Sequence, residues 1–394
     1  MKILLKISKW FVSLLLVVVL AVVVTSVSLV YNFAEPEPFC GEEIFNPYRN
    51  FDSSKGWQRG NFHTHTRVEG LLNECEYTPE QTLEFYDRLD YDIVTLSNHN
   101  AITPHPYNQG KVYEHGYNIA KFHKLVFGAD KVWRFDNLLP IFAFQKQFQI
   151  DILSKQSDIV VLNHPLRTHT MDIKALSMLS GYKIIELDSG RSTENEYWDA
   201  ALSAGRYSFA IANDDLHYPN RTRAIAIRSN MLNTATNHYE DIRRVLLDGC
   251  YYSMRTPDYG DGDWSVKVEC NKSIPYIKNI GLTSDNAIYI ALSEAADSIK
   301  VTGANHTTLA KVCASDSLSY TMGADDPYGR FTAYFADGEV IYSNPFARYD
   351  ADNASSPFST NYSVNVPLTI LFNLMILALS LGVVTLIYKI IKTW

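Results

Sequence analysis

The chain has 394 residues, enough for two domains plus appendages, and its hydrophobic share of 46% is ordinary for a globular protein with some membrane-embedded sequence. Its formal net charge of −8 argues against a nucleic-acid-binding surface, so we expect no nucleic-acid partner, whereas a cation-binding pocket fits this charge equally well. The five cysteines include no CxxC pair, which is not typical of a zinc ribbon or a dense disulfide framework. Disulfide pairing and oligomeric state stay open.

Two uncharged apolar runs, residues 10–31 and 366–388, bracket the chain, and each is long enough to cross the ~30 Å hydrocarbon core of a bilayer. Lysines precede the first run and follow the second. The positive-inside rule therefore predicts a cytoplasmic N-terminus (1–9), a cytoplasmic tail (389–394) and everything between them outside the membrane.

Alternatives remain for both runs. The first could be a cleaved signal peptide, since Thr25-Ser26-Val27-Ser28 offers small residues, although its apolar core is longer than usual for such a peptide. The second could be a buried core helix, but its terminal position and basic tail argue against that.

Residues 32–56 are polar and contain several prolines, which predicts a linker or wrapping segment. From 57 to 257, short apolar runs alternate with helical patterns. Thr78-Pro79 starts one helix with a cap and a proline, and Gly249 ends another that begins near Asp241. The predicted strands each end in a polar cluster; they are Asp92–Ser97, Ile159–Leu162, Lys183–Leu187 and Ser208–Ala212. This alternation of strands and helices is typical of parallel βα units, in which the active-site residues lie at the C-terminal ends of the strands.

The pattern changes in residues 258–350, where apolar and polar residues alternate between Gly, Asn and Asp turns. We predict a small all-β sandwich here, with hairpin turns at Gly303-Ala304-Asn305 and Asp337-Gly338, and a linker at 351–365. The alternating runs are Trp264–Glu269, Ala287–Leu292, Ile299–Thr302 and Phe331–Phe335.

Histidines and carboxylates come in short clusters, beginning with His63-Thr64-His65 and ending with Asp215-Leu216-His217. On an extended strand, residues two apart lie on one face, so each pair can chelate a cation from a rigid backbone. Imidazole together with carboxylate suits Zn, Fe or Mn. The clusters therefore predict a metallohydrolase. No GxSxG nucleophile elbow supports Ser-His-Asp catalysis.

The order of these clusters resembles the PHP (polymerase and histidinol phosphatase) superfamily. The matching segments, spread over about 155 residues, are Phe62–His65, Leu96–Asn100, Tyr113–Gly116, Phe122–Leu125, Leu162–Pro165 and Asp214–His217. The resemblance implies a distorted (β/α)7 barrel with two or three metal ions that hydrolyses phosphoesters. The β-rich tail, including Asn344-Pro345, looks like the extension in a branch that includes secreted and ester- or carbamate-cleaving members.

The chain departs from the family pattern in two places. Asn98 replaces the aspartate of the second motif, where an amide can still orient a histidine, and Glu69-Gly70 stands where Asp-Gly is usual. We favour Glu114 as the carboxylate that bridges the metals, with His115 as the competitor. Glu186 and Asp188, at a strand end, are as well placed to support a ligand as to cap a helix.

The resulting hypothesis is an extracytoplasmic, membrane-tethered hydrolase in which a metal-bound hydroxide attacks a phosphomonoester or phosphodiester, from a small molecule or the cell envelope. Expected metal ligands, for two or three Mn, Zn or Fe ions, are His63, His65, Glu69, His99, Glu114, His123, His164, Asp215 and His217. We assign the catalysis to His63, His65, Glu114, Asp215 and His217, and binding of the substrate phosphate to Lys121, Arg191 and Arg221. Alternatives are hydrolysis of a carboxyl ester or carbamate on the same site, and a non-catalytic envelope binding module.

Overall fold

A computed structural model of the protein describes residues 2–70, 73–104, 110–189, 192–193, 195–360 and 362–392, and all their side chains except those of 2–6 and 192–193. The strands are β1 Tyr31–Phe33, β2 Glu43–Phe45, β3 Gln58–Asn61, β4 Ile93–Val94, β5 Tyr113–His115, β6 Lys124–Phe127, β7 Ile159–Leu162, β8 Ile184–Ser189, β9 Ser192–Thr193, β10 Phe209–Asn213, β11 Arg228–Leu232, β12 Tyr251–Arg255, β13 Ile277–Leu282, β14 Ala287–Thr302, β15 Thr308–Thr321, β16 Tyr328–Tyr334, β17 Val340–Ser343, β18 Phe346–Tyr349 and β19 Tyr362–Val364. The α-helices are α1 Lys2–Val24, α2 Pro79–Asp87, α3 Ala143–Ser154, α4 Ile173–Met178, α5 Asn195–Ser203, α6 Tyr239–Asp248, α7 Trp264–Cys270 and α8 Val366–Lys392.

The protein is a mixed α/β structure in which the described strands form three sheets. One runs β10-β8-β7-β6-β5 with β9 beside β8, a larger one runs β13-β14-β16-β17-β12-β11-β3-β4 with β15, β18 and β2 attached, and β1 pairs with β19. Pairing is parallel in β10/β8, β7/β8 and β3/β4, but antiparallel in β5/β6 and β6/β7. The parallel strand pairing predicted for residues 57–257 is therefore found in only part of these sheets.

No continuous ladder closes the described strands into a barrel. The first two sheets approach each other at isolated bridges between Thr64 and Leu216 and between His99 and Glu114. All four residues belong to the predicted metal-binding motifs or directly neighbour them. The junction between the sheets is thus also where the histidines and carboxylates converge.

Most of the strands and helix ends predicted for residues 57–257 are confirmed. Ile159–Leu162 is β7, and the runs at 183–187 and 208–212 correspond to β8 and β10 within one or two residues, whereas the run at 92–97 forms only the two-residue β4. Thr78 caps α2 through a reciprocal capping box with Gln81. Gly249 ends α6 in the left-handed conformation, with φ of 82°.

One predicted strand is wrong: the alternating run Trp264–Glu269 is part of helix α7. The Asp263 side chain accepts hydrogen bonds from the amides of Ser265 and Val266 and so starts a helix. Trp264 and Val268, four residues apart, then pack on the same small core. The segment is helical despite its alternating apolar and polar residues. The helical period of 3.6 residues puts Trp264 and Val268 on one face, and burial of that face against the core stabilises the helix.

The remainder of the β-rich region is antiparallel, and its strands continue the sheet of the preceding region. β12 pairs with β17 from Tyr252↔Ser343 to Arg255↔Val340, so the sheet crosses the predicted boundary at 257/258. Both hairpin turns are confirmed, between β14 and β15 and between β16 and β17. Within the predicted linker 32–56, β2 pairs with β18 and wraps this region.

Two helices, Ile7–Val24 and Val366–Lys392, are long and apolar enough to cross a membrane by length and composition. The first ends at Val24 rather than at Tyr31, where the apolar run ends. Thr25 and Ser26 follow in a turn, and their hydroxyls donate to the carbonyls of Ala21 and Val22. Pairing of β1 with β19, together with mutual hydrogen bonds between Ser28 and Asn373, holds the two helices at one face of the globular part.

Candidate metal centre

The two predicted chelating pairs follow neighbouring strand ends. His63 and His65 come directly after β3, and Asp215 and His217 directly after β10. The His65 amide donates to the Leu216 carbonyl at 2.9 Å, and the Leu216 amide donates to the His63 carbonyl at 3.2 Å. These backbone bonds hold the pairs side by side, as the alternation of side chains along extended chain requires.

The carboxylate of Glu114, on β5, lies at the centre of the cluster and is 1% exposed. Its Oε2 lies 3.3, 3.4 and 3.1 Å from the Nε2 atoms of His63, His65 and His99, and its Oε1 lies 3.2 Å from His123 Nδ1 and 3.4 Å from His164 Nε2. One carboxylate therefore faces five imidazoles, with different rings on its two oxygens.

Asp215 provides a second shared carboxylate. Its Oδ1 lies 3.2, 3.4 and 3.3 Å from the Nε2 atoms of His63, His65 and His217. Its backbone has a φ of 50°, and that of His164 a φ of 28°. Such left-handed conformations are costly for non-glycine residues and are concentrated at functional sites.

In the part of the chain that the structure describes, the donor atoms form four overlapping groups, each within 4.8 Å: His63–His65–Asp215, His63–Glu114–His164, His65–Glu74–His99 and His99–Glu114–His123. The Nε2 atoms of His63 and His65 are buried there and have no hydrogen-bond partner among the described residues. Buried polar atoms are normally satisfied, and imidazole with carboxylate is the donor set of Zn, Mn and Fe sites. The residues present thus fit divalent metal ions.

Burial and mutual interaction shift the protonation equilibria of the cluster. Burial lowers the pKa of His65 to about 4, which favours the neutral imidazole that binds metal. Burial opposes the charge of His99, but Glu114 and Glu74 outweigh it and raise its pKa to about 9. Burial also works against ionised Glu114, yet the surrounding histidines hold its pKa well below the usual range.

A ring of buried partners orients the ligands. Glu186 accepts from His63 Nδ1 at 2.9 Å, from the His164 amide at 3.0 Å and from Asn213 Nδ2 at 3.0 Å. Of the two roles open to Glu186, support of a ligand matches these contacts, whereas Asp188 pairs with Arg228 at 2.5 Å.

Asn98 bonds to Thr66 and Thr103 rather than to a histidine ring, so it fixes the loop after His65. Strand alternation places the side chains of Glu114 and His115 on opposite faces of β5, and Glu114 faces the cluster. His115 points the other way, with its Nε2 3.0 Å from the Phe135 carbonyl oxygen.

Not every predicted site residue reaches the cluster. The Glu69 side chain is exposed and belongs to none of the four groups, and Lys121 is exposed as well. Arg221 stacks on Tyr218 and lines an open cleft of about 680 Å³ together with Glu74 and His217. Arg191 lies outside the described residues.

Two further charged residues were missed by the motif comparison. Glu74 Oε2 lies 2.9 Å from His99 Nε2, and Arg167 forms an ion pair with Asp215. Arg167 follows the His164-Pro165 motif by two residues, and Arg221 follows His217 by four, so both arginines lie close to a motif in the sequence. For Glu74, the loop offers Glu69, Glu74 and Glu76, and no local pattern distinguishes them.

The fold and the cluster define a mixed α/β protein with a site suited to several metal ions. No protein-family model matches the chain, and no curated protein matches it. Among solved structures, it is similar to a two-domain protein from Bacteroides vulgatus that contains a predicted PHP-like metal-dependent phosphoesterase. That match has 12% identity and a TM-score of 0.36, and it covers 80% of this chain and 100% of the other.

Proposed function

We propose that the protein is a metal-dependent phosphoesterase, holding two or three divalent ions of Mn, Zn or Fe. The observation that carries the proposal is the Glu114 carboxylate, which belongs to two of the four donor groups. Its two oxygens face different imidazoles, Oε2 those of His63, His65 and His99, and Oε1 those of His123 and His164. A buried carboxylate shared in this way can hold two cations close together. Two such cations can clamp a phosphoryl group and activate water for its hydrolysis.

The residues divide into roles around this carboxylate. One ion would be held by His63, His65 and Asp215, and others by the groups that contain His99, His123 and His164. His217 contacts Asp215 and lines the open cleft, so it lies on the side from which a substrate enters.

Cations suited to a phosphate lie at the same side. Arg167 is partly exposed beside Asp215, and Arg221 lines the cleft with His217. Either guanidinium can pair bidentately with phosphate oxygens.

We further propose that the seven strands β3, β4, β5, β6, β7, β8 and β10 form a distorted barrel. Their order around the ring follows from the two ladders together with the bridges at Thr64/Leu216 and His99/Glu114. The metal centre then lies at the C-terminal ends of several strands, the position of the active site in parallel barrels.

We propose that α1 and α8 anchor the protein in a cytoplasmic membrane, with both termini in the cytoplasm and the globular part outside. The helices leave one face of the globular part, which puts both termini on one side if both span the bilayer. Lys389 and Lys392 in the last turn of α8 favour the cytoplasm for that side.

The first test is elemental analysis of the full chain in detergent. We expect two or more Mn, Fe or Zn ions per chain in the wild type and loss of most of them in His63→Ala/His65→Ala. The matched control is His169→Ala/His238→Ala, which removes two exposed histidines outside the cluster. A wild-type content below about one ion, unaltered by the first variant and not restored by added metal, would leave the binding-module alternative.

The second test compares p-nitrophenyl phosphate, bis(p-nitrophenyl) phosphate and p-nitrophenyl acetate on the metal-loaded protein. Turnover of a phosphate ester that disappears in His63→Ala/His65→Ala supports the proposal. Turnover of the acetate alone would refute phosphoester hydrolysis and favour the carboxyl-ester alternative.

A further inference from the structure

Large apolar side chains are exposed in three segments of the globular part, around residues 119, 141 and 166, which hydrogen bonds hold close together. Ile119, at 62% exposed, and Ile141, at 57%, are the two most exposed of their kind outside α1 and α8 among the described residues. Phe142 at 49% and Leu166 at 48% accompany them. We call Ile119, Ile141, Phe142 and Leu166 the apolar rim. Clustered exposure of this kind marks an interaction surface, whereas scattered single residues do not.

The apolar rim is continuous with the two terminal helices. The Phe142 ring stacks on Phe144 at 5.1 Å, and both rings contact Phe372 of α8, at 6.4 and 5.0 Å. The amide of Ile119 bonds to the Leu138 carbonyl and so ties the Ile119 loop to the same segment.

The end of α1 meets this segment too. Asn137 Nδ2 donates to the carbonyls of Thr25 and Val27, and Gln145 Nε2 donates to the Ser26 carbonyl. The rim therefore lies at the level where the apolar helix Ile7–Val24 ends, which is the level of a bilayer surface if that helix spans the membrane.

The same face leads into the metal centre. Thr170 Oγ1 donates to the Pro140 carbonyl beside the rim, and Arg167, three residues earlier, pairs with Asp215. Because three residues of chain span at most roughly 11 Å, Thr170 beside the rim lies within that distance of Arg167 at the metal centre. Lys121 lies between the two regions, since its carbonyl accepts from Thr168 Oγ1, and its exposed side chain offers a cation for an anionic head group.

We propose that the apolar rim inserts into the surface of the bilayer and that the substrate is a membrane-embedded amphiphile with a phosphoester head group. The second part rests on the proposed phosphoesterase function. Apolar side chains in the interface anchor a protein in proportion to the apolar area they bury. Insertion beside the metal centre lets the head group reach the metals while the acyl chains stay in the lipid.

Insertion is tested without catalysis by fluorescence quenching. A polarity-sensitive nitrobenzoxadiazole label is attached at Ile141→Cys, or at Tyr276→Cys as the matched exposed control, with Cys40 and Cys313 replaced by serine. The full chain is reconstituted in phosphatidylcholine vesicles with doxyl-labelled lipid. We expect severalfold stronger quenching at position 141 than at position 276. Equal quenching at both positions would overturn the insertion.

The substrate class is tested by the rate of hydrolysis of a membrane lipid divided by the rate for its soluble head-group analogue, the lipid-to-soluble ratio. Phosphatidic acid in phosphatidylcholine vesicles is compared with glycerol 3-phosphate if the protein cleaves monoesters, and phosphatidylglycerol with glycerophosphoglycerol if it cleaves diesters. We expect Ile141→Ser/Phe142→Ser to lower the lipid-to-soluble ratio at least tenfold, and Val266→Ser/Tyr276→Ser to leave it unchanged. Metal content of each variant shows that the centre is intact.

The outcomes separate this inference from the function on which it rests. Soluble phosphoester turnover with a ratio unaffected by the rim variant would overturn the lipid substrate and leave the phosphoesterase standing. Strong quenching at position 141 without hydrolysis of any phosphoester would overturn the function and the substrate class, and support insertion alone.

Discussion

At the scale of single residues, Glu114 is a carboxylate buried among five imidazoles. An isolated carboxylate in such a place would be strongly destabilising. Here its charge is balanced by histidines, which hold its pKa well below the usual range although burial opposes ionisation. Divalent cations would replace the protons of His63 and His99, whose pKa values are raised by the neighbouring carboxylates, so binding of metal should release protons.

Replacement of Glu74 tests which acidic residue of the loop after His65 serves the metals. We expect Glu74→Gln to weaken binding of at least one ion, because Glu74 Oε2 approaches His99 and shares a donor group with His65. Glu69→Gln, at an exposed position, is the control and should leave metal content unchanged. Elemental analysis after dialysis measures both. Loss of metal in Glu69→Gln but not in Glu74→Gln would instead support Glu69 as the ligand, as predicted from the sequence.

Glu186 is expected to act on the metals through His63. Glu186→Gln keeps the size of the side chain but removes the charge that fixes the His63 ring. Loss of such a partner typically weakens metal affinity by about 10- to 100-fold. Chelator competition measures this affinity, and a thermal melt of the metal-free protein checks the fold. Unchanged affinity would show that the contact contributes only to packing.

At the scale of elements, an ion-pair cluster joins α5 to the β-rich region. Asp199 of α5 pairs with Arg330 of β16 at 2.5 Å and with His306, in the turn after β14, at 2.8 Å. The Asp199 hydrogen bond raises the pKa of His306, which is partly exposed. Glu196 adds to this effect, and Arg330 opposes it.

This cluster predicts a pH-dependent contribution to stability. Because the folded pKa of His306 is raised, its contribution is complete below the unfolded value of about 6.5 and is lost as the pH rises through the folded pKa. The thermal midpoint of wild type should therefore exceed that of His306→Gln at low pH, and the difference should shrink towards alkaline pH. A difference that is constant or grows with pH would contradict the assignment.

Two glycines with a positive φ, Gly249 at the end of helix α6 and Gly56 in the segment before β3, offer a matched pair of substitutions. Gly249 has a φ of 82°, and a Cβ there would lie 2.3 Å from Phe209 Cε1 in the core. Gly56 has a φ of 67° but no atom within 4 Å of such a Cβ. We expect Gly249→Ala to lower the free energy of unfolding by more than about 1 kcal/mol and by clearly more than Gly56→Ala. Thermal melts of both variants decide this, and equal losses would contradict the steric argument.

At the scale of the whole molecule, the paired terminal helices predict the sidedness of the chain. In intact cells, a membrane-impermeant maleimide should label exposed Cys313 of the β-rich region. A cysteine introduced as Lys389→Cys, in a variant with Cys40→Ser and Cys313→Ser, should react only after the cells are permeabilised. Labelling of Lys389→Cys in intact cells, with Cys313 protected, would reverse the orientation.

The sequence by itself determined the features that depend on local chemistry. The apolar runs specify helices, Thr78 and Gly249 specify helix ends, and alternation on short strands puts His63 with His65 and Asp215 with His217 on shared faces. These need only propensity, capping and the two-residue period of extended chain. The choice of histidines and Glu114 followed from the order of the motifs.

Tertiary structure alone decided what depends on contacts between distant segments. Trp264–Cys270 forms a helix whose apolar side chains Trp264 and Val268 pack against a core. β12 pairs with β17 across a predicted domain boundary, a contact between segments about 90 residues apart. Glu74 and Arg167 reach the cluster, and Glu69 does not, through the path of loops that no local pattern encodes. The apolar rim likewise exists only because segments around 119, 141 and 166 converge where α1 and α8 leave the globular part.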